Sequence, residues 1–257
     1  MARLLPLLLL AFSVHAADQT RVVTSVLPSL DYGPSCWSTV TLANLSDRVV
    51  TVEIEVHRAG GGMVGLAGLA ETVLHINPGD RVSHSIEITD ESGVGWLKVR
   101  ERIPSPRLSP AIAVSGMSEC VINNRLRTTP RQLSYPTRNP WFSGDIEDMQ
   151  GNLISVVNTS ERAAQATLCY SQGNLYSVPG AAPHSSDLSP VCSQSFDVLI
   201  PPYATRQFPV HREDSTHFSI KTQGEAIVLQ MMRPVAAGVK VYSVDSTVKF
   251  GGEFADK

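Results

Sequence analysis

The cysteines are the residues whose type and number point most directly to chemistry. Four are present, an even set, at Cys36, Cys120, Cys169 and Cys192. None forms a Cys-x-x-Cys pair, the spacing of zinc sites and thioredoxin-type redox centres, so disulfides are favoured over metal binding. Four cysteines allow three pairings. We favour Cys36 with Cys120 and Cys169 with Cys192, because each bond then stays inside one of the two modules argued for below.

The other reactive side chains do not form a catalytic constellation in the sequence. No two histidines have the His-x-His or His-Glu-x-x-His spacing of a zinc site, and no serine stands in a Gly-x-Ser-x-Gly elbow. The glycine-rich run 60–68 lacks the Gly-Lys-Ser/Thr ending of a phosphate loop. The acidic residues at 145–148 lack the closing Glu of a calcium loop. We therefore predict that the protein is not an enzyme, with no catalytic residue, no metal site and no cofactor.

Basic residues are concentrated in one stretch of a chain whose net charge is only −3. Residues 98–138 hold eight basic and two acidic side chains, whereas residues 17–97 hold ten acidic and four basic ones. An anionic polymer is one candidate partner for this stretch. The alternative, which we favour, is that the stretch complements the chain's own acidic neighbours. The candidate contact residues, which we call the basic belt, are Arg100, Arg102, Arg125, Arg127 and Arg131.

Alternating patterns predict that β-strands position these residues. Over Val50–Val56 apolar residues alternate with Thr and Glu, which buries one face of a strand and exposes the other. The same period of two recurs over 81–88 and 164–170, and no comparable stretch has a helical period. Gly and Pro punctuate the chain at intervals suited to turns. Many short strands with regular breaks indicate a sandwich or a barrel.

An internal repeat is the most informative feature of the chain. The sequence Asn-Leu-Ser-Asp-Arg at 44–48 lies between two predicted strands and recurs as Asn-Thr-Ser-Glu-Arg at 158–162, also between two predicted strands. Asn and Ser side chains can bend the backbone through their own hydrogen bonds, so we predict one type of turn used twice. Proline-bearing turns at 76–81 and 200–206 follow in matching order.

The repeat, the length and the first residues together predict the domain organisation. Residues 1–16 have the charge, apolar run and small-residue pattern of a signal peptide, so we expect a secreted or periplasmic protein. No later stretch is apolar enough for a membrane span. The predicted fold is all-β, with two tandem immunoglobulin-like antiparallel β-sandwich domains at 17–130 and 141–257, joined by a proline-containing linker at 131–140.

This order of motifs resembles the bacterial secreted immunoglobulin-like repeats of the cell-adhesion-related type. In those repeats a strand ending in Asn-x-Ser is followed by an alternating strand, a proline turn and another strand. The repeat and the lack of a catalytic constellation favour a non-catalytic structural or adhesion-type protein that engages another protein or a cell-surface polymer. The alternatives are a carbohydrate- or anionic-polymer-binding accessory protein, with its site in a cleft between the domains, and a periplasmic chaperone-like protein acting by strand addition.

Two loops are candidates for recognition, because sandwiches place recognition on loops that a rigid frame holds. One is the glycine-rich run and the other is its longer counterpart in the second domain. Their candidate residues are Gly60, Met63, Leu66, Asn174, Tyr176 and His184.

Four aromatic side chains are candidates for stacking on sugar rings: Trp96, Trp141, Phe142 and Tyr203. We favour placing them in the cores or at the contact between the domains, where large aromatic residues of small sandwiches are usual. No aromatic residues alternate with the arginines of the basic belt, so we predict no binding to nucleic acid.

Overall fold

The computed structural model describes most of the chain, in the ranges 20–64, 73–86, 92–105, 107–146, 152–171, 192–210 and 215–232. Within these ranges the chain forms β-strands, turns and irregular segments, and it contains no helix. The prediction of an all-β chain is therefore confirmed. In the same ranges no helix is long and apolar enough to cross a membrane. The predicted signal peptide at 1–16 lies outside the described residues.

The first nine strands form two antiparallel sheets. Their bounds are β1 (Arg21–Tyr32), β2 (Cys36–Asn44), β3 (Val50–His57), β4 (Met63–Val64), β5 (Val73–Ile76), β6 (Arg81–Ile86), β7 (Gly93–Ile103), β8 (Ile112–Ile122) and β9 (Arg125–Arg131). One sheet has the order β1-β7-β3-β4, with β5 also paired to β3, and the other has the order β6-β2-β8-β9. Aliphatic side chains such as Leu42 of β2, Ile54 of β3 and Leu97 of β7 pack together between the sheets. We call this unit the first sandwich.

The remaining strands form a second pair of antiparallel sheets. Their bounds are β10 (Trp141–Asp145), β11 (Leu153–Asn158), β12 (Ala164–Ser171), β13 (Gln194–Ile200), β14 (Thr205–Pro209), β15 (His217–Gln223) and β16 (Ile227–Met232). The sheet orders are β10-β15-β12-β13 and β14-β11-β16. Leu168, Phe208 and Ile220 belong to a separate core between these sheets. We call this unit the second sandwich.

Each strand of the second sandwich has a counterpart in the first. Strand β2 pairs with β6 and β8, as β11 pairs with β14 and β16. Strand β3 pairs with β5 and β7, as β12 pairs with β13 and β15, and β1 lies beside β7 as β10 lies beside β15. In the first sandwich β1 lies beside β7 and β8 lies beside β2, so these two strands belong to different sheets.

The turn at 44–48 takes its shape from the buried Asn44 side chain. Its Nδ2 donates to the carbonyl oxygen of Arg48 at 2.7 Å and to that of Ile76 at 2.9 Å. The backbone N–H and the Oγ of Ser46 donate to Asn44 Oδ1 at 2.9 and 2.7 Å. The amide thus serves backbone groups that the strand ladders leave unpaired at this corner.

The turn at 158–162 has the same hydrogen bonds. Asn158 Nδ2 donates to the carbonyl oxygens of Arg162 at 2.7 Å and Ile200 at 3.2 Å, and it has one further acceptor, the Pro201 carbonyl oxygen at 3.0 Å. The backbone N–H and the Oγ of Ser160 donate to Asn158 Oδ1 at 3.1 and 2.8 Å. The prediction that Asn and Ser side chains build both turns is confirmed, and the two corners connect corresponding strands, β2 to β3 and β11 to β12.

Each sandwich contains one disulfide, and the cysteines pair as we favoured from the sequence. Cys36 and Cys120 are directly opposed on β2 and β8, with their Cα atoms 4.1 Å apart. Cys169 of β12 is bonded to Cys192, which precedes β13, at a Cα separation of 5.3 Å. The described residues include no free cysteine.

The segment between the sandwiches is bonded to both of them. Ser134 and Val26 of β1 exchange two backbone hydrogen bonds of 2.8 Å, and Thr137 and Ile227 of β16 exchange two of 2.9 Å. Farther along the contact, Ser155 Oγ of β11 donates to a backbone carbonyl of β1 at 3.2 Å. The two sandwiches are thus held side by side through β1 and β11, and we call their contact the seam.

Candidate interaction surface

The basic belt is divided by the fold into three separate settings. Arg100 and Arg102 lie on β7, beside the carboxylates of β3. Arg100 Nη2 is 3.0 Å from a carboxylate oxygen of Glu53 and also pairs with Glu55, and Arg102 pairs with Glu53. These two arginines therefore complement acidic neighbours within their own sheet, as the favoured interpretation of the belt expects.

Arg131 is buried between the sheets of the first sandwich. Its guanidinium forms an ion pair with Asp31 of β1, and both side chains are less than 5% exposed. Arg131 Nε also donates to Ser118 Oγ at 3.0 Å, and Ser118 Oγ lies 2.7 Å from Ser38 Oγ. The Asp31 carboxylate already pairs with this buried guanidinium. Arg131 therefore links the two sheets and is not placed to contact an external anion.

Arg125 and Arg127 are exposed at the start of β9, in the hairpin formed by β8 and β9. The two-residue turn before them has Asn123 at φ 51° and Asn124 at φ 57°, the pair of positive φ angles of a type I′ hairpin turn. In the part of the chain that the structure describes, neither arginine has an ion pair. These are the members of the basic belt whose charge is available to a partner.

The same hairpin exposes apolar side chains on its outer face. Val121 of β8 is directly opposed to Leu126 of β9, and they are 44% and 57% exposed. Met117 lies four residues before Val121 on the same face and is also exposed. Side chains alternate along a strand, so Leu126 points to one face and its neighbours Arg125 and Arg127 to the other. Glu119 lies between Met117 and Val121 on the same face, where its carboxylate accepts a hydrogen bond of 2.8 Å from Trp37 Nε1. Near its turn the hairpin is thus apolar on one face and basic on the opposite face.

Among the described residues, no strand pairs with β9 on the side that faces away from β8, and we call this side the free edge of β9. Ile122 and Arg125 flank the two-residue turn and form a hydrogen-bonded pair, so every second residue from Arg125 directs its backbone groups toward β8. The intervening residues, Leu126 and Thr128, direct their N–H and C=O groups away from the sheet. Pro130 follows in the same alternation and has no N–H to offer, which is the placement of proline that an edge strand tolerates.

The aromatic residues Trp96 and Tyr203 lie in the seam. The His57 ring is stacked between them, with its centroid 4.3 Å from that of Trp96 and 5.3 Å from that of Tyr203. Trp96 Nε1 donates to the Tyr203 carbonyl oxygen at 2.9 Å, and Trp96 is fully buried. Both residues therefore have the structural position at the domain contact that we favoured over sugar stacking.

The glycine-rich loop begins beside the same seam. Gly61 has φ 94°, and a Cβ there would lie 2.6 Å from the Pro202 carbonyl oxygen, so glycine is required at this close approach. The backbone of Ala59 accepts a hydrogen bond of 2.9 Å from Thr205 N–H. Of the predicted loop residues, Gly60 and Met63 belong to this turn and to β4, and Met63 is exposed. The others, Leu66, Asn174, Tyr176 and His184, lie outside the described residues.

Charged groups of β3 and β7 surround the stacked rings. Lys98 Nζ is 2.7 Å from a Glu55 carboxylate oxygen and 5.1 Å from the centre of the Tyr203 ring. Burial alone would raise the pKa of Glu55, but hydrogen bonds from Lys98 and His57 and the charges of Lys98 and Arg100 outweigh it, so this pKa is lowered. Burial, reinforced by nearby carboxylates, raises the pKa of Tyr203. The seam is therefore a packed and charge-balanced contact.

Sequence reasoning identified Arg125 and Arg127 but missed the surface to which they belong. The available signal was the pair Asn123–Asn124, which follows the apolar residues Val121 and Ile122 and precedes the alternation of Arg125, Leu126 and Arg127, a short-range hairpin pattern. The exposure of Val121 and Leu126 and the free edge of β9 depend on which strands lie beside the hairpin, and no local pattern encodes that.

No family model, no curated protein and no solved structure matches this chain. The functional argument therefore depends on the geometry of the described residues alone.

Proposed function

We propose that this chain is an exported, non-catalytic interaction protein of two immunoglobulin-like sandwiches that binds an extended segment of a partner protein along β9. The observation that carries this proposal is the free edge of β9, where the backbone groups of Leu126 and Thr128 point away from the sheet. An unpaired edge is a template for strand addition, a common mode of peptide recognition. Two disulfides support export, since such bonds persist in oxidising compartments.

The two faces of the hairpin determine what kind of strand fits. A strand added beside β9 places alternate side chains on opposite faces. Those on the outer face lie next to Leu126, with Val121 one strand farther away, so apolar side chains are favoured there. Those on the other face lie next to Arg125 and Arg127, where carboxylates are favoured. The preferred partner is therefore a segment in which apolar and acidic residues alternate.

The cleft version of the carbohydrate-binding alternative has less support. Arg100 and Arg102 are paired with carboxylates of β3, and the seam between the sandwiches is filled by Trp96, His57 and Tyr203. The chaperone-like alternative would use the same free edge as the function proposed here.

A peptide-binding assay with a backbone variant tests the proposal. The probe is a fluorescent peptide in which valine and glutamate alternate, and its anisotropy is measured with the mature chain. Thr128→Pro removes one outward N–H without removing a bond to β8, and Thr128→Ala is the matched control that keeps this N–H. We expect Thr128→Pro to weaken binding about tenfold, the effect of one lost hydrogen bond, and Thr128→Ala to change it less than about twofold.

Two outcomes would count against strand addition. The wild-type chain must bind the alternating peptide more tightly than a peptide of the same composition with its valines and glutamates in separate blocks. Equal binding of the two peptides, or undiminished binding by Thr128→Pro, would refute the proposal.

A further inference from the structure

A second exposed surface lies on the outer face of the sheet β10-β15-β12-β13. Four side chains form a row across its strands, because Trp141 is opposed to Lys221, Lys221 to Thr167, and Thr167 to Asp197. Neighbouring strands are about 4.8 Å apart, so the row spans about 14 Å from β10 to β13. We call these four residues the outer row.

The alternation of side chains fixes the direction in which the outer row points. The neighbours of its members along the strands, among them Phe142, Leu168, Ile220 and Val198, pack into the core of the second sandwich. Trp141, Lys221, Thr167 and Asp197 are therefore directed away from the core.

The outer row is open to solvent at both ends. Trp141 is 69% exposed, which is unusual for the largest apolar side chain, and Lys221 and Asp197 are exposed as well. Thr167 Oγ1 donates to Asp197 Oδ1 at 2.6 Å, which holds the carboxylate in place and leaves its second oxygen free to accept another hydrogen bond. In the described part of the chain Lys221 has no ion pair.

In the first sandwich the corresponding basic residue is neutralised by a carboxylate of the same sheet. Glu53 and Thr167 are each nine residues beyond their corner asparagines, and they are opposed to Arg100 and Lys221 respectively. Arg100 is neutralised there by Glu53. The carboxylate is replaced by a threonine in the second sandwich, so the lysine keeps its charge and its three donors for an external group.

We propose that the outer row binds a neutral polysaccharide chain laid across the strands. An exposed indole offers a flat apolar surface for the C–H face of a sugar ring, and the lysine, the carboxylate and the flanking Gln165 and Gln223 offer donors and acceptors for its hydroxyls. The charges of Lys221 and Asp197 balance, which favours an uncharged ligand over an anionic one. This binding site is distinct from the β9 edge and does not depend on the function proposed for that edge.

Affinity electrophoresis with defined polymers tests this inference. The mature chain is run in native gels containing hydroxyethyl cellulose, xylan, mannan or soluble starch, and in parallel gels containing alginate as the anionic polymer. We expect at least one neutral polymer to retard the wild-type chain, Trp141→Ala to reduce the apparent affinity at least tenfold, and Lys221→Ala to reduce it several-fold. Trp141 is exposed, so Trp141→Ala is expected to leave the unfolding midpoint unchanged, which a thermal melt checks.

The control variant is Leu45→Ala, which truncates an exposed apolar side chain of the first sandwich that belongs to neither proposed binding surface and is expected to retain full polysaccharide binding. Failure of every neutral polymer to retard the wild-type chain would overturn the inference, as would undiminished binding by Trp141→Ala. Retardation by alginate alone would also overturn it, because the ligand would then be an anion. A dimer that dissociates on Trp141→Ala would instead assign the face to a second copy of this chain. Peptide binding at β9 is measured separately, so either proposal can fail without the other.

Discussion

The two sandwiches share a strand order and an asparagine corner, yet their corresponding sheets meet their surroundings differently. In the first sandwich, Arg100 lies among carboxylates, and Trp96 and His57 of the same sheet pack in the seam against the second sandwich. In the second, Lys221 faces a threonine and the exposed Trp141. The shared frame thus sets where a side chain stands, while single residue differences decide whether a face is closed by the protein itself or left open for a ligand.

The ion pairs of the two sandwiches differ in burial, and this difference predicts the largest effect of a substitution on stability. The first contains the buried ion pair Asp31–Arg131, whereas the ion pair described in the second is the exposed one between Arg162 and Glu225. Asp31→Ala would leave a buried guanidinium without its partner, and we expect it to lower the free energy of unfolding by about 4 kcal/mol. Urea unfolding measures this loss. Glu225→Ala is the matched control, with an expected change below about 1 kcal/mol, and equal effects of the two variants would contradict the contrast.

The corners predict a smaller effect that is the same in both sandwiches. Asn44→Ala removes hydrogen bonds to two carbonyl oxygens and Asn158→Ala removes hydrogen bonds to three, and we expect each to cost about 2 kcal/mol of unfolding free energy. The exposed Leu45, in the same turn as Asn44, provides the control Leu45→Ala, for which little change is expected. A large cost at one asparagine and none at the other would show that the corners are not equivalent in energy.

Glu55, a residue of the first sandwich beside the seam, is expected to make the stability of the chain depend on pH. The pKa of Glu55 is lowered in the folded chain, so its contribution to stability is complete above its ordinary pKa of about 4.3 and is lost as the pH falls through the folded value. We therefore expect Glu55→Gln to destabilise the chain at pH 7 by more than it does at pH 3. Unfolding curves at the two pH values measure the difference. A cost that does not change with pH would show that the Glu55 carboxylate is not held by Lys98 and Arg100.

Local patterns were sufficient to predict the strands, the two corners and the favoured disulfide pairing. The Asn44 and Asn158 turns depend on side chains within a few residues of one another, and the cysteine pairing followed from keeping each bond within one module. Local patterns could not predict which arginines of the basic belt are paired with carboxylates and which are exposed. Arg100 and Arg125 have the same chemistry, but one has carboxylates on the neighbouring strand and the other lies at an edge, and only the register across sheets distinguishes them.

The tryptophans illustrate the same limit. Trp96 and Trp141 both lie in β-strands, and we favoured buried positions for both. Trp96 is buried because its side of β7 meets the second sandwich, whereas Trp141 is exposed because its side of β10 meets no other element among the described residues. Burial at these positions is decided by how sheets pack on one another, and neighbouring residues in the sequence carry no record of that packing.

Amide hydrogen exchange at β9 tests the central claim most directly. We predict that the amides of Leu126 and Thr128 exchange rapidly in the free chain while that of Arg127 is protected by its bond to β8, and that adding the alternating valine–glutamate peptide protects all three. Protection of Leu126 and Thr128 before the peptide is added, or rapid exchange that persists when the peptide is bound, would contradict recognition by strand addition.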